Sequence, residues 1–419
     1  MTSINRLATA NTYDNALRNI TQRQSSLSSL QENLTSGKRV VRASDDPSAA
    51  AQAERALTRM SRIVTDQRAL ASQANSIAMA ESTLGDVTNA LQSFRELVVS
   101  AGNGTFTQKD RQTVALQLQG LRDQIFNLSN QKDTNGQPLF SALGSALAPF
   151  VGPATTSPDY QFNGLPGQTA SQEVAIPFAL DGDSAFMLQV ARDGAYNITT
   201  SGPSAIGSTP LRVNVALTNP PAPVNDSTYK ISITSVAPGT LPNTSTAVYT
   251  LETTTSGPTP VTTLQAGLTV TDYPTGTLDI PVPGRIVTIA GTPVAGDTAT
   301  LKPSVSIFSV MDQAIRDIGS ATSNAAASQA VGQALGNLDI SANRVSAVRG
   351  QAGELLNRAD RISANQDKRS IQLEADRSRA EDIDMVKGIS DFQNQQTGHQ
   401  AALQSYAQMQ KLSLFNYIG

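Results

Sequence analysis

Cysteine and tryptophan are absent from the chain, and histidine occurs once, at position 399. Without cysteine there is no disulfide and no thiolate site for a metal, and one histidine cannot supply a His-x-x-x-His zinc motif. Phosphate-binding glycine loops and nucleophile elbows are missing as well. Long hydrophobic runs are also lacking: no stretch of eighteen apolar residues exists, so no membrane span is expected. The first twenty residues are polar, without the apolar segment of a cleaved signal peptide. A formal net charge of −3 over 419 residues argues against an extended nucleic-acid footprint. No cofactor, metal or catalytic group is expected.

Proline is scarce everywhere except the middle. Of 21 prolines, 19 lie between Ser145 and Ser304. That segment holds ten acids against five bases. A proline-rich middle cannot be continuously helical, whereas the flanks can.

The flanks carry helical stripes. Tyr13, Leu17, Ile20, Leu27 and Leu34 share one seam with Gln24 and Gln31, at spacings alternating four and three. Gly37 suits a left-handed helix end, and Asp46-Pro47 reads as N-cap and first helical residue. From there Ile63, Leu70, Ile77, Leu84, Leu91 and Val98 recur every seven residues, with Ala80, Val87 and Phe94 three residues after their partners. Such a sustained repeat predicts a long helix, roughly 80 Å at 1.5 Å per residue, ending at Ala101-Gly102-Asn103-Gly104-Thr105. A second helix carries Val114, Leu118, Leu121, Ile125 and Leu128, and Asn135-Gly136 turns the chain towards extended structure.

Residues 141–304 alternate as strands do, at Val213/Val215/Leu217, Tyr229/Ile231/Ile233, Ala247/Tyr249/Leu251 and Leu278/Ile280/Val282, with Asp193-Gly194 as a hairpin turn. Helix resumes near Ser306, and a further repeat runs from Val331 through Leu338, Val345, Val348 and Leu355 to Ile362. The last stripe holds Met385, Ile389, Phe392, Gln396, His399, Leu403, Tyr406 and Gln410.

Several motifs together resemble the flagellin superfamily. They are Thr35-Ser36-Gly37-Lys38-Arg39-Val40 followed by Ser44-Asp45-Asp46-Pro47, then Glu81-Ser82-Thr83-Leu84-Gly85, Ala101–Thr105 and Asn135–Phe140. Gly291–Asp297 and the ending Leu412-Ser413-Leu414-Phe415-Asn416-Tyr417-Ile418 complete the set. Pro47 and this ending resemble the hook–filament junction branch more than filament-forming flagellin. The resemblance implies a structural, secreted subunit of the bacterial flagellum that leaves by flagellar type III export. It implies a homo-oligomer in a helical ring, with a neighbouring hook-associated protein on the hook side and flagellin or another hook-associated protein on the filament side. It also implies a cytoplasmic export chaperone over the C-terminal stripe. A filament-forming flagellin and a secreted adhesin binding through the middle segment are the alternative readings.

The expected fold class is α+β: a coiled-coil-like helical rod of paired N- and C-terminal segments with an inserted antiparallel β domain. Its parts are 1–44 and 381–419 as terminal coiled-coil segments of an axial core, 45–140 and 305–380 as the rod, and 141–304 as the insert. The expected subunit-interface residues are Tyr13, Leu17, Ile20, Leu27, Leu34, Ile389, Phe392, Leu403, Tyr406, Leu412, Leu414 and Phe415. Asp45 and Asp46 are adjacent and do not face one another on a helix, so they read as N-terminal charges and not as a catalytic pair. Glu381, Asp382 and Asp384 lack a calcium-loop pattern and read as a solvated turn. His399 reads as a polar seam residue, with a pH switch as the alternative.

Overall fold

A computed structural model describes residues 3–155, 158–206, 211–217, 226–255 and 259–418. Side chains are described for these apart from 3–10, 12, 190–191, 205–206, 214, 216–217, 409 and 411–418. The chain divides into two compact units, Met1–Arg68 with Ile362–Gly419, and Ala69–Arg361.

Along the chain, α1 (Ser3–Ser36), α2 (Pro47–Ala101) and α3 (Gln108–Ser129) come first. A two-stranded ladder of β1 (Phe150–Val151) and β2 (Gln161–Phe162) follows, then the short helices α4 (Gly182–Phe186) and α5 (Val190–Asp193). Next come β3 (Tyr196–Ser201), α6 (Pro203–Ile206), β4 (Arg212–Leu217), β5 (Thr228–Pro238), β6 (Thr244–Thr254) and β7 (Thr262–Pro274). The chain continues through β8 (Thr277–Val282), β9 (Arg285–Ala290) and β10 (Thr298–Pro303) to α7 (Ile307–Ser320), α8 (Asn324–Glu381) and α9 (Met385–Ile418). The fold is α+β, with long terminal helices and an antiparallel middle, as the stripes and alternations predict.

In the Ala69–Arg361 unit, the seven-residue repeat of α2 is its buried seam. Ile77, Leu84, Val87, Phe94 and Val98 are fully buried, and Leu338, Val345, Val348 and Ala352 of α8 are buried in the same unit. Glycine and asparagine end α2, and Thr107 starts α3 with a reciprocal capping box: Asp110 N–H donates to Thr107 Oγ1 at 3.3 Å, and Thr107 N–H donates to Asp110 Oδ2 at 2.8 Å. Ser306 caps α7 by accepting from Ser309 N–H at 3.0 Å. Between α3 and α7 lies a cluster of Phe126, Phe150, Tyr160, Phe186 and Phe308, with ring centroids 5.2–6.0 Å apart. A buried polar group sits beside it. Arg122 pairs with Asp312 at 3.1 Å, Tyr160 Oη donates to Asp312 at 2.7 Å, and Arg122 Nη1 donates to Tyr160 Oη at 3.0 Å. Burial raises the Asp312 carboxyl above its ordinary range.

Strand order is β3-β10-β5-β6-β7 in one sheet and β4-β9-β8 in the other, all antiparallel. The alternating residues face a common core that includes Tyr229, Ile231, Tyr249, Leu251, Leu278 and Val287. Buried Arg285 lies 4.4 Å from the Tyr196 ring centroid and donates to the Gly194 carbonyl at 3.1 Å. β8 and β9 form the tight hairpin of this region, joined by Pro283-Gly284 with Gly284 at φ 74°.

Two local expectations differ from the structure. Asp193-Gly194 is not a hairpin turn: Asp193 closes the helical turn of α5, where it accepts from Gln189 N–H at 2.9 Å, and Gly194 takes φ 71° before β3. The large sheets occupy 196–303, and residues 141–193 are mostly loop and short helix. They supply Phe150, Tyr160 and Phe186 to the cluster between α3 and α7, so aromatic packing holds them together with the two-residue ladder of β1 and β2.

Candidate subunit-interaction site

The expected interface residues belong to the Met1–Arg68 and Ile362–Gly419 unit, where α1 packs against α9. Tyr13 and Tyr406 meet edge to face, with centroids 6.1 Å apart at 89°. Glycine permits the close approach further along. A Cβ at Gly388 would stand 2.9 Å from Ile383 Cδ1 and 3.0 Å from Leu34 Cδ2, and one at Gly398 would stand 2.7 Å from Arg23 Nη1.

The stripes remain open to solvent. Leu17 is 47% exposed, Ile389 46% and Leu403 45%, while Tyr13, Ile20, Leu27, Leu34, Phe392 and Tyr406 are half-buried. Among the described side chains of α1 and α9, no large apolar one is fully buried. Leu412, Leu414 and Phe415 fall in α9, but their side chains lie outside the described residues. Gln24, Gln31, Gln396 and Gln410 are exposed, and His399 is half-buried with Nδ1 lacking a hydrogen-bond partner. Helices with apolar stripes that a single chain leaves half open are suited to burial against other chains.

The segment between α1 and α2 clasps the turn between α8 and α9. Gly37 takes φ 70° and its carbonyl accepts from Ile383 N–H at 3.0 Å. Arg39 and Val40 N–H both donate to the Glu381 carbonyl, at 2.7 and 3.2 Å, and Arg39 Nη2 donates to the Ala380 carbonyl at 2.8 Å. Lys38 pairs with Glu381. Val40, Ala49 and Ala380 are buried together. The two acids divide the remaining work. Asp45 Oδ2 accepts from Val41 and Arg42 N–H at 3.1 and 2.8 Å, which folds the link. Asp46 Oδ1 accepts from Ala49 N–H at 3.0 Å and Ser48 Oγ at 2.8 Å, which caps α2, and its other oxygen pairs with Arg39 at 3.2 Å. The Ala49 amide, Ser48 and Arg39 hold the Asp46 carboxyl at a pKa of about 2, below the ordinary carboxylate range. Glu381 faces Lys38 and Arg377, and Asp384 caps α9 through Val386 and Lys387 N–H at 3.0 and 3.1 Å. Among the described residues, no group of three His, Cys, Asp or Glu is placed to hold a metal, and no helix is long and apolar enough to cross a membrane.

Long terminal helices with half-open apolar stripes, a loop clasp and a β insert define the class of helical protein to which this chain belongs. Comparison with known proteins gives it a family. The bacterial flagellin N-terminal helical region matches residues 5–144, and the bacterial flagellin C-terminal helical region matches 335–418, together more than half of the chain. The chain belongs to the flagellin superfamily. It is similar to flagellar hook-associated protein 3 of Salmonella typhimurium, 39% identical over 147 residues, covering 35% of this chain and 46% of that protein. The Escherichia coli protein of the same name is 40% identical over 148 residues with the same coverage. The chain thus spans about half the length of the curated relatives it matches. The crystal structure of flagellar hook-associated protein 3 from Legionella pneumophila shares the fold, with a TM-score of 0.60 at 23% identity over 77% of this chain and 97% of that one.

Proposed function

We propose that this chain is a structural subunit of the bacterial flagellum that joins hook to filament by polymerising through its terminal helices. One observation carries this reading. Leu17, Ile389 and Leu403 are nearly half exposed on α1 and α9, whereas the α2 seam from Ile77 to Val98 is buried within the single chain. Apolar stripes left open in one chain gain their burial in an assembly, and a head-to-tail contact that does not close on two subunits propagates a ring or tube. The likeness to hook-associated protein 3 in sequence supports the junction role over a purely filamentous one.

On this reading residues 1–44 and 381–419 form the axial core, 45–140 and 305–380 the helical support, and 141–304 the insert. Tyr13, Leu17, Ile20, Leu27, Leu34, Ile389, Phe392, Leu403, Tyr406, Leu412, Leu414 and Phe415 are the interface residues. Neighbours are further copies of this chain, a hook-associated protein on the hook side, and flagellin or another hook-associated protein on the filament side. A cytoplasmic chaperone covers the α9 stripe before export through the flagellar type III route. The role is mechanical and needs no cofactor. Deletion of the gene tests it: cells should keep hooks, lose filaments and shed flagellin into the medium, and restoring the gene should reverse all three. Normal filaments on the deletion strain would overturn the reading.

A further inference from the structure

One face of α2 carries Arg55, Arg59 and Arg62, at i, i+4 and i+7, all exposed. Residues so spaced share a helix face, and like charges there repel. Among the described residues none of the three makes an ion pair or a hydrogen bond. Four arginines of the same unit, Arg39, Arg42, Arg377 and Arg379, each meet a carboxylate of this chain. Arg55 and Arg59 stand on the rim of a groove between α2 and α8 whose apolar lining is Ala56, Leu373 and Ala380. Arg379 on the opposite rim is already engaged by Asp376, so the groove keeps two uncompensated guanidinium groups.

The matching charge lies on the turn between α8 and α9. Asp382, Ile383 and Asp384 form the short link between α8 and α9, where Asp382 bridges to Lys38. Ile383 lies inward, against the Gly388 position beside Leu34. Both carboxylates are exposed, and among the described residues neither is in an ion pair. Asp384 uses Oδ1 to cap α9 and leaves Oδ2 open. Residues two apart in a link stand at most about 7 Å from one another, and helical residues four apart rise about 6 Å. The two pairs of charges are therefore opposite in sign and of similar span.

Within one chain neither set forms an ion pair, although Asp382 lies in the field of Arg377. We propose that the Arg55–Arg59 groove seats the Asp382–Asp384 turn of a second copy of this chain. The proposal rests on the polymerising reading and adds to it a polar, directional contact that fixes register between copies. Charge complementarity sets orientation and encounter more than it adds affinity, which suits a contact that accompanies an apolar interface.

The test is charge exchange in the full-length chain, with assembly followed by sedimentation at low salt. Arg55→Glu with Arg59→Glu forms one variant. Asp382→Arg with Asp384→Asn forms another, the asparagine keeping the α9 cap. Each should raise the concentration needed for assembly by about tenfold, and the chain carrying all four changes should recover most of the loss. Helical circular dichroism of each variant monitors folding, and Asp382→Asn, which replaces an exposed carboxylate with an isostere, supplies a second measurement if Asp382→Arg misfolds. Asp382→Asn should weaken the salt dependence of assembly. The proposal falls if the Arg55/Arg59 variant assembles like the original chain, if only the arginine changes matter and Asp382→Asn leaves the salt dependence intact, or if the fourfold variant is no better than its parts. Failure of the unaltered chain to assemble under any condition would instead overturn the polymerising reading on which it rests.

Discussion

Leu17→Asp and Leu403→Asp should abolish assembly while leaving the thermal unfolding of the Ala69–Arg361 unit unchanged. Leu17 and Leu403 are 47% and 45% exposed in the single chain. Full burial of a leucine is worth about 1.5–3 kcal/mol, so half-burial contributes about 1 kcal/mol to the packing of α1 on α9. That loss falls on the terminal helices and not on the seam from Ile77 to Val98. In an assembly the same position closes against neighbours, and an aspartate there buries an unpaired charge at a cost of several kcal/mol. Every 1.4 kcal/mol is tenfold in an equilibrium constant, so the concentration required for assembly should rise by roughly a hundredfold or more. Phe94→Ala is the control. Phe94 is fully buried, and its truncation should cost about 3–5 kcal/mol and lower the melting temperature by roughly 6–10 °C. Calorimetry with sedimentation reads both effects. A Leu17→Asp chain that melts as early as Phe94→Ala, or that assembles at the original concentration, would refute the division between inner seam and open stripe.

Acid should loosen the clasp through Asp46. Its folded pKa of about 2 lies below the ordinary aspartate range, so its stabilising contribution is present above about pH 4 and is lost as pH falls towards 2. Asp46→Asn should remove that part of the acid dependence, measured by protease cleavage near Val40 between pH 2 and 5. Tyr160→Phe strips a donor from Asp312 and an acceptor from Arg122, and should cost about 1–3 kcal/mol by denaturant titration. Residues 196–303 should be removable, because Ser304 N–H donates to the Ala195 carbonyl at 3.1 Å and the cut ends are adjacent. A short flexible linker there should leave the helical circular dichroism signal and assembly intact; a chain that no longer folds would show the sheets to be part of the core.

The seven-residue repeat of α2 is legible because periodicity accumulates. Ile77, Leu84, Leu91 and Val98 are buried at 0–3%, and the alternating residues of β5, β6 and β8 point inward as alternation requires. Asp46-Pro47 and Ser306 are likewise readable, since a cap and its helix lie within four residues. Distant pairings are not. Arg122, Tyr160 and Asp312 form one buried polar group across almost two hundred residues of sequence, and an arginine at position 122 looks like an exposed helix charge until Asp312 is placed beside it. Asp193-Gly194 has the composition of a hairpin turn, but Gln189 reaches Asp193 first and closes a helical turn instead. Of the terminal stripes, sequence shows the spacing; only the structure shows that α1 and α9 cover one another incompletely.

The clasp explains why the most recognisable motif of the chain lies in a loop and not in a helix. Gly37, Arg39 and Val40 make main-chain bonds to Gly37's partner Ile383 and to Glu381, so the segment before α2 fixes the place where α8 ends and α9 begins. Those bonds need a left-handed residue at 37, where a Cβ meets nothing within 4 Å but the φ of 70° still disfavours any other side chain. Gly37→Val should therefore strain the backbone without a steric clash, by about 1–2 kcal/mol. The two terminal helices leave this clasp together, α1 entering it and α9 departing from it, so their register against one another is set there. On the polymerising reading the two half-open stripes need that register fixed before another copy arrives, because a slip of one residue turns each stripe by about 100°. On that reading the loop constrains the assembly surface through main-chain bonds and not through the stripe residues themselves.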